Sequence, residues 1–216
     1  MTLSLPLILP PLENGDKLTR SEFERRYNAM PRVKKAELIE GIVYIASAPR
    51  AKFHGKPHAH IMAWLGVYEA ATPGVETLDN ATVRLDTNNE PQPDALLRIE
   101  TEGQSTISDD DYVEGAPELI VEIAASSASL DLNQKRNVYC CHKVREYLVW
   151  RTYDNALDWF CWQNGEYVRL NPDADGIFRS VVFPGLWLPK DALLAGNLAR
   201  VLEVLQEGIA TSTTNG

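Results

Sequence analysis

The chain has 216 residues, of which 44% are hydrophobic and 24% are charged. This balance is typical of a globular protein and excludes a disordered or fibrous one, and the length suits one hydrophobic core better than two. The formal net charge of −9 argues against a general affinity for nucleic acid, because neutralising phosphates requires a basic surface.

The charges are unevenly distributed along the chain. From Lys17 to His60 there are ten Lys or Arg and four Asp or Glu, a balance of +6, so the remainder carries −15. One interpretation of this segment is a helix and loops with solvated charges. The other is a basic flank on an otherwise acidic protein.

The N-terminal segment predicts an extended arm over residues 1–18 rather than a signal peptide, because its first fifteen residues contain three prolines and lack a basic segment. No apolar run approaches the ~20 residues needed to cross a bilayer. Three cysteines without C-x-x-C spacing predict reduced core thiols rather than disulfides or a zinc site. We therefore expect a cytoplasmic protein that does not associate with membranes.

The first third of the chain predicts a helix, a hairpin and a longer helix. Residues 19–22 have the S/T-x-x-E form of a capping box, which predicts a helix over 20–29. Two β-prone runs flank Glu40-Gly41 and predict a hairpin with a tight turn. Apolar residues at helical spacing predict the longer helix over 54–71.

The rest of the chain predicts a buried sheet with flanking helices. Residues 118–124, ELIVEIA, are almost continuously apolar, which is typical of a central strand buried on both faces. The other expected elements are strands at about 75–85, 94–99 and 146–151, a helix over 131–143, a hairpin turning at Asn164-Gly165, and an amphipathic helix over 191–207. We expect residues 19–208 to form a single domain and residues 209–216 a disordered tail.

Glu122 is an acidic residue inside this apolar strand. It shares a face with Ile120 and Ala124, so its carboxylate is expected to be partly withdrawn from water. An unpaired buried charge costs several kcal/mol. A basic partner, a shared proton or a metal ion must therefore compensate it.

Asp94 favours the metal among these alternatives. It follows Pro93 at the start of a neighbouring β-prone run, so the carboxylates of Asp94 and Glu122 are expected to converge. Two or three carboxylate oxygens with waters are the usual ligands of Mg²⁺, and a metal held in this way can activate water for attack on a phosphodiester. The alternative is an Asp at a strand start and a Glu paired with an Arg.

Lys135 lies on the helix that follows the strand of Glu122, with Tyr139 one turn later on the same face. Its ammonium can therefore approach the two carboxylates, where a cation orients the attacking water or stabilises the developing phosphorane-like charge. The alternative for a single helical lysine is exposure to solvent.

Short motifs occur together in a specific order. They are ELIEG at 37–41, Pro93-Asp94, GAPELIVE at 115–122, Lys135 with Tyr139, Glu146-Tyr147, and FPGL at 183–186. With this set, the chain resembles the Uma-two family of restriction-endonuclease-like proteins, a branch of the PD-(D/E)XK nuclease superfamily. The resemblance runs from about Thr19 to Leu194.

The resemblance implies an α/β (α+β) fold with a restriction-endonuclease-like core, in which a mixed β-sheet is flanked by helices. It implies Asp94 and Glu122 as metal ligands, with the backbone carbonyl of Ile123 as another. It also implies Glu37 and Lys135 as further catalytic residues. The metal expected there is Mg²⁺ or Mn²⁺, and the substrate expected from the superfamily is DNA.

The chain departs from the pattern at three places. Ala124 stands two positions after Glu122, where typical superfamily nucleases have Lys, and Lys135 is the implied substitute. Residues 125–127 read Ala-Ser-Ser where family members have Ser-Pro-Ser, and Arg151 stands where they have Asp.

His58 matches a histidine at the start of the family's long helix, and a histidine there could shuttle a proton or contact phosphate. His54 and His60 are nearby. A histidine metal site is disfavoured, because His58 and His60 are two positions apart and do not share a helix face.

These observations lead to three functional hypotheses. The first is a Mg²⁺-dependent endonuclease acting on DNA. The second is a catalytically inactive nuclease fold that binds DNA or a protein partner. The third is a structural or dimerising protein whose interface is formed by the terminal helix and the hairpin containing Trp159 and Trp162. We expect a homodimer, since two active sites are the simple route to cutting two strands.

Overall fold

The structure of the chain is a computed structural model that describes residues 9–214, so residues 1–8 of the expected arm and 215–216 of the expected tail lie outside it. Its strands are β1 (Ala36–Ile39), β2 (Ile42–Ile45), β3 (Val75–Asp79), β4 (Val83–Arg84), β5 (Ala95–Ile99), β6 (Ser105–Ile107), β7 (Val113–Gly115), β8 (Leu119–Ala124), β9 (Glu146–Arg151), β10 (Ala156–Gln163), β11 (Glu166–Leu170), β12 (Ile177–Arg179) and β13 (Trp187–Pro189). Its helices are α1 (Arg20–Asn28), α2 (Lys56–Ala71), α3 (Ala128–Leu130), α4 (Arg136–Cys141), α5 (Lys190–Leu194) and α6 (Leu198–Thr214). π-helical turns at Ala51–Gly55 and Asp131–Lys135 lead directly into α2 and α4.

A six-stranded mixed sheet with the order β11-β10-β9-β8-β5-β3 forms the centre of the fold. The pair β8 and β9 is parallel, and the other neighbours are antiparallel. The parallel pair is connected through α3, the π turn and α4, as a parallel pair requires a crossover. The small sheet β4-β7-β6 and the hairpin β1-β2 lie outside this central sheet.

The central strand β8 is buried along its whole length, as its apolar sequence predicts. Residues 119, 121 and 123 lie in the apolar cluster formed with α2 and α6. Ile120 and Ala124, on the other face, lie in the cluster that contains Tyr139 of α4. Helices therefore flank both faces of the sheet, which confirms the predicted α/β class and the orientation of Glu122.

The hairpin β1-β2 confirms the predicted turn, in which Glu40 and Gly41 have φ of 53° and 76°. The N-terminal arm packs along this hairpin, and its Lys17 forms a bridge to Ile42. Leu38 exchanges backbone hydrogen bonds with Glu90. This exchange attaches β1 to the segment before β5, where Glu37 contacts the backbone of Gln92.

Two predicted elements differ from the structure. The strand expected at 75–85 is divided into β3 and β4 by Asn80, which has φ of 50°. The helix expected over 131–143 begins as α3, passes through the π turn and ends with α4. The π turn provides an extra residue per turn, a feature that periodicity alone does not reveal.

The C-terminal helix is also different from the prediction. Gly196, with φ of 72°, ends α5, and the side chain of Asn197 accepts a hydrogen bond from the N–H of Arg200 at the start of α6. Helix α6 then continues to Thr214, so residues 209–214 are helical and the disordered tail expected there is wrong for them. The partly buried Ile209 packs against the main core and extends the apolar face of α6.

Side-chain details correct three further expectations. Thr19 is the N-cap residue of α1 but makes no side-chain capping hydrogen bond. Of the three cysteines, only Cys161 is a buried thiol, since residue 140 is half-buried and residue 141 is exposed. Trp159 is fully buried in the core, so it is unavailable for the interface expected at its hairpin.

Within residues 9–214, no helix combines the length and apolarity needed to span a bilayer.

Candidate active site

Asp94 lies where β5 begins, next to the edge of β8. The last paired residues of these strands are Ala95 and Val121, so β8 continues beyond β5. The carboxylate of Asp94 occupies this position, where its Oδ2 accepts a hydrogen bond from the N–H of Ile123 at 2.8 Å. The side chain of Asp94 thus continues the hydrogen bonding of the sheet edge and is held against the strand of Glu122.

The second oxygen of Asp94 faces two bases. Its Oδ1 is 2.9 Å from Nζ of Lys35 and 3.2 Å from Nε2 of His54. Burial alone would raise the pKa of Asp94, but the His54 hydrogen bond and the charge of Lys35 hold this pKa well below its usual range. Asp94 is therefore ionised at neutral pH.

Glu122 is buried on the same strand, one position before the N–H that Asp94 contacts. Its Oε1 accepts hydrogen bonds from Nζ of Lys135 at 2.9 Å and from the hydroxyl of Tyr139 at 3.0 Å. The pKa of Glu122 is raised to about 8, because burial and the charges of nearby carboxylates, first that of Asp131, outweigh the lowering by the charge of Lys135. Burial thus favours the protonated form of Glu122, and a cation beside it favours the ionised form.

Lys135 connects these carboxylates and is almost fully buried, with 2% of its surface exposed. Besides Glu122, its Nζ contacts Glu37 Oε1 at 2.7 Å and Asp131 Oδ1 at 3.7 Å. Burial lowers the pKa of Lys135, but these three carboxylates together raise it well above its usual value, so Lys135 stays charged. The alternative of a solvent-exposed lysine is thereby excluded.

Glu37 and Asp131 complete the cluster from two different elements. Glu37 on β1 uses the same Oε1 to accept the N–H of Gln92 at 2.7 Å, which fixes its side chain beside the segment before Asp94. Asp131 begins the π turn that ends at Lys135. Only 1% of Asp131 is exposed, and burial raises the pKa of its carboxyl group while the charge of Lys135 lowers it.

The cluster contains more acids than bases. Its carboxylates are Asp94, Glu122, Glu37 and Asp131, and its ammonium groups are Lys35 and Lys135. When all of them are ionised, negative charges exceed positive charges in a buried volume. Because uncompensated buried charge is costly, this volume favours either protonation or an additional cation.

The donor atoms suit a hard cation such as Mg²⁺ or Mn²⁺, which prefers oxygen ligands. The backbone N–H and C=O of one strand residue point to the same edge of the strand. Because the N–H of Ile123 points toward Asp94, the carbonyl of Ile123 points to the same edge. In the described part of the chain, however, no three His, Cys, Asp or Glu side chains are arranged to hold a metal. The available donors are the carboxylates of Asp94 and Glu122, one backbone carbonyl and water. One oxygen of each carboxylate accepts a hydrogen bond from a lysine ammonium group.

The histidines are arranged differently from the expectation. His58 Nε2 lies 2.8 Å from the backbone oxygen of Asp94 and 3.0 Å from Oδ1 of Asp79, so it contacts the main chain of Asp94 and not its carboxylate. His54 is the histidine that reaches the carboxylate. The rings of His54 and His58 are 5.7 Å apart, in agreement with their spacing of four positions, which is the signal that sequence reasoning overlooked.

Lys35, His54 and Asp131 were missed by sequence reasoning. Lys35 precedes Glu37 by two positions, so the alternation of a strand places both side chains on one face. Asp131 precedes Lys135 by four positions, which is the spacing of a helical ion pair. The alternation that relates Lys35 to Glu37 and the i, i+4 spacing that relates Asp131 to Lys135 were present in the sequence. Both patterns are common at solvated surfaces and do not by themselves indicate a site.

The chain was compared with known families and structures. Residues 20–191 match the model of the Uma2 (Uma-two) family, whose description is "Putative restriction endonuclease". Among solved structures, a protein from Anabaena variabilis described as "a putative nuclease belonging to DUF820" superposes with a TM-score of 0.62 at 12% sequence identity. This superposition covers 80% of the present chain and 97% of the other, and it shows a shared fold. Comparison with curated proteins finds no significant match.

The family match and the shared fold agree with each other. The family model spans the site from Lys35 and Glu37 to Lys135 and continues through the whole central sheet. The solved structure confirms the restriction-endonuclease-like fold that the sequence motifs imply. The chain therefore belongs to the Uma2 family of putative restriction endonucleases.

Proposed function

We propose that the protein is a metal-dependent endonuclease that hydrolyses phosphodiester bonds in DNA. The observation that carries this proposal is the buried cluster in which Lys135 contacts both Glu37 and Glu122 while Asp94 is held against the next residue of the same strand. Membership in a family of putative restriction endonucleases supports the reaction class. Metal dependence is proposed from the chemistry of the cluster, and the DNA substrate from the resemblance to the nuclease superfamily.

Asp94, Glu122 and the carbonyl of Ile123 are the groups that would hold Mg²⁺ or Mn²⁺. When bound, such an ion supplies a Lewis acid and lowers the pKa of a coordinated water. Lys135 supplies a fixed positive charge next to the carboxylates, where it stabilises negative charge that develops on a phosphate oxygen. Glu37 orients Lys135 through their 2.7 Å contact, and His54 and Lys35 keep Asp94 ionised.

The proposal predicts cleavage of plasmid or oligonucleotide DNA that requires Mg²⁺ or Mn²⁺ and stops when EDTA is added. Asp94→Asn retains the size of the side chain but removes its negative charge, so we expect a rate at least about 100-fold lower. The matched control is Asp109→Asn, which changes an exposed aspartate of the acidic loop and should leave the rate unchanged. A wild-type protein that cleaves no substrate, or a variant as active as the wild type, would contradict the proposal.

A specific observation favours a second candidate function, that of an inactive nuclease fold which binds DNA or a protein. Lysine ammonium groups already neutralise one oxygen of Asp94 and one of Glu122, at 2.9 Å in each case. In an inactive fold, Lys35 and Lys135 supply the positive charge that a metal ion would otherwise provide. Titration with Mn²⁺ followed by calorimetry separates the two candidates, because the inactive fold predicts neither metal binding nor cleavage, while DNA binding remains and weakens with salt.

A further inference from the structure

An aromatic and basic surface lies directly beside the carboxylate cluster. Phe53 of the π turn and Tyr153 of the turn between β9 and β10 pack edge to face, with ring centroids 4.8 Å apart. Tyr153 is among the exposed large side chains of the described residues, with 49% of its surface accessible. The Tyr153 ring is therefore supported from one side by another aromatic residue, and about half of the residue's surface, 49%, is accessible.

The backbone attaches this aromatic pair to the site. Thr152 donates its hydroxyl to the carbonyl of Phe53 at 2.8 Å and its N–H to the carbonyl of Ala124 at 3.0 Å. The residue after Phe53 is His54, which contacts the carboxylate of Asp94. Thr152 thus joins the aromatic pair to the end of β8, and the chain joins Phe53 to His54.

The charges of this surface are positive. Arg50 and Lys52 are exposed at the start of the π turn, and neither forms an ion pair within the described residues. Nζ of Lys52 lies 5.3 Å from the ring centroid of Phe53. The acid on the neighbouring turn, Asp154, is already paired with Arg151 and does not offset these cations.

We propose that Tyr153 and Phe53, with Arg50 and Lys52, bind an unpaired nucleotide of a single-stranded nucleic acid segment next to the cleavage site. An exposed aromatic face stacks on any nucleobase, and unpaired cations nearby match the adjacent phosphates. Bases inside a duplex are stacked on each other and are not available to such a ring. This assignment rests on the proposed nuclease function and specifies the form of its substrate as single-stranded or locally unpaired.

The test is fluorescence anisotropy with a labelled twelve-nucleotide single-stranded DNA, a duplex of the same sequence and an abasic strand of the same length, all in EDTA so that cleavage is absent. The wild-type protein is expected to bind the single strand more tightly than the duplex. Tyr153→Ala should weaken single-strand binding about tenfold and leave abasic-strand binding unchanged, because only the stacking of bases is lost. Tyr153→Phe keeps the ring and should bind like the wild type.

The control variant is Val181→Ala, which shortens an exposed apolar side chain, 63% accessible, outside this surface. It should not change binding. Equal binding of single strand and duplex, or an equal loss on normal and abasic strands, overturns the stacking assignment. Assays of the same proteins with Mn²⁺ separate the two proposals. Binding that depends on Tyr153 without any cleavage supports the nucleotide site and rejects the nuclease. Cleavage with binding that does not depend on Tyr153 supports the nuclease and rejects the nucleotide site.

Discussion

Lys135 is the residue on which the buried cluster depends most directly, since its ammonium contacts three carboxylates. Lys135→Met keeps an unbranched side chain of similar length but leaves those carboxylates without their shared cation. We expect the free energy of unfolding at neutral pH to fall by about 3–5 kcal/mol, the range found when one partner of a buried ion pair is removed. Urea denaturation measures this change.

Two comparisons make the Lys135 prediction specific. Lys34→Met changes an exposed lysine without an ion pair in the described part of the chain and should alter stability by less than about 0.5 kcal/mol. Adding Glu122→Gln to Lys135→Met should recover part of the loss, because one uncompensated carboxylate is removed. Additive effects of the two substitutions would show that Lys135 and Glu122 are not energetically coupled.

Glu90 lies outside the cluster and predicts a pH dependence of stability. Burial, together with the hydrogen bond and charge of Glu24, raises the pKa of Glu90 to about 8, and Arg84 and Arg20 only partly oppose this. The folded state therefore holds a proton that the unfolded chain releases near pH 4.5, so this contribution to stability is complete below pH 4.5 and is lost as the pH rises toward 8.

Glu90→Gln should flatten this decline, because the amide is neutral at every pH in the range. Thermal or urea unfolding at pH 5 and pH 8 measures the difference, and the wild-type protein should lose at least about 1 kcal/mol more than the variant between these values. Glu166→Gln, on the exposed part of β11, should behave like the wild type. Parallel pH curves for wild type and Glu90→Gln would reject this role of Glu90.

At the scale of elements, two glycines test how the helices end. Gly196 has φ of 72° where α5 ends, and a Cβ there would meet only ordinary contacts, the nearest being Lys56 Nζ at 3.5 Å. The cost of Gly196→Ala is therefore conformational, and we expect a loss of about 1 kcal/mol. Gly66 lies inside α2 with open space around its Cβ position, so Gly66→Ala should stabilise by up to about 1 kcal/mol.

Changes of opposite sign in the free energy of unfolding, a decrease for Gly196→Ala and an increase for Gly66→Ala, would confirm this pair of predictions. If Gly196→Ala is neutral, the boundary between α5 and α6 does not depend on the left-handed backbone conformation.

The same boundary explains why a single C-terminal helix was predicted. The apolar spacing from Leu194 to Leu205 continues across Gly196 and Asn197, and periodicity alone does not register a glycine that ends one helix beside an asparagine that begins the next.

At the scale of the whole molecule, the expected homodimer remains a prediction. Strand β11 lies at one edge of the central sheet, and its Val168 is 41% exposed. An exposed edge strand with an apolar residue can pair with a second copy. We expect sedimentation to show a dimer that Val168→Lys converts to monomer, while a wild-type protein that is monomeric at all concentrations would reject the dimer.

Much of the fold follows from local patterns in the sequence. Continuous apolar residues make β8 a central strand, and Asn164-Gly165 sets the turn between β10 and β11 because both residues adopt positive φ there. The same local reasoning identifies Asp94, Glu122 and Lys135 as the residues to examine. A carboxylate in an apolar strand needs a partner whatever the rest of the chain does, and for that reason it stands out in the sequence.

The partners of these residues depend on tertiary structure. Lys35 and Asp94 are 59 positions apart, and His54 and Asp94 are 40 apart. Their contacts exist because β8 lies between β5 and β9 while β1 attaches to the segment before β5. The sequence determines which side chains are costly to bury alone. Only the packing of distant elements decides which opposite charge reaches each of them, because that choice depends on distances that local periodicity does not encode.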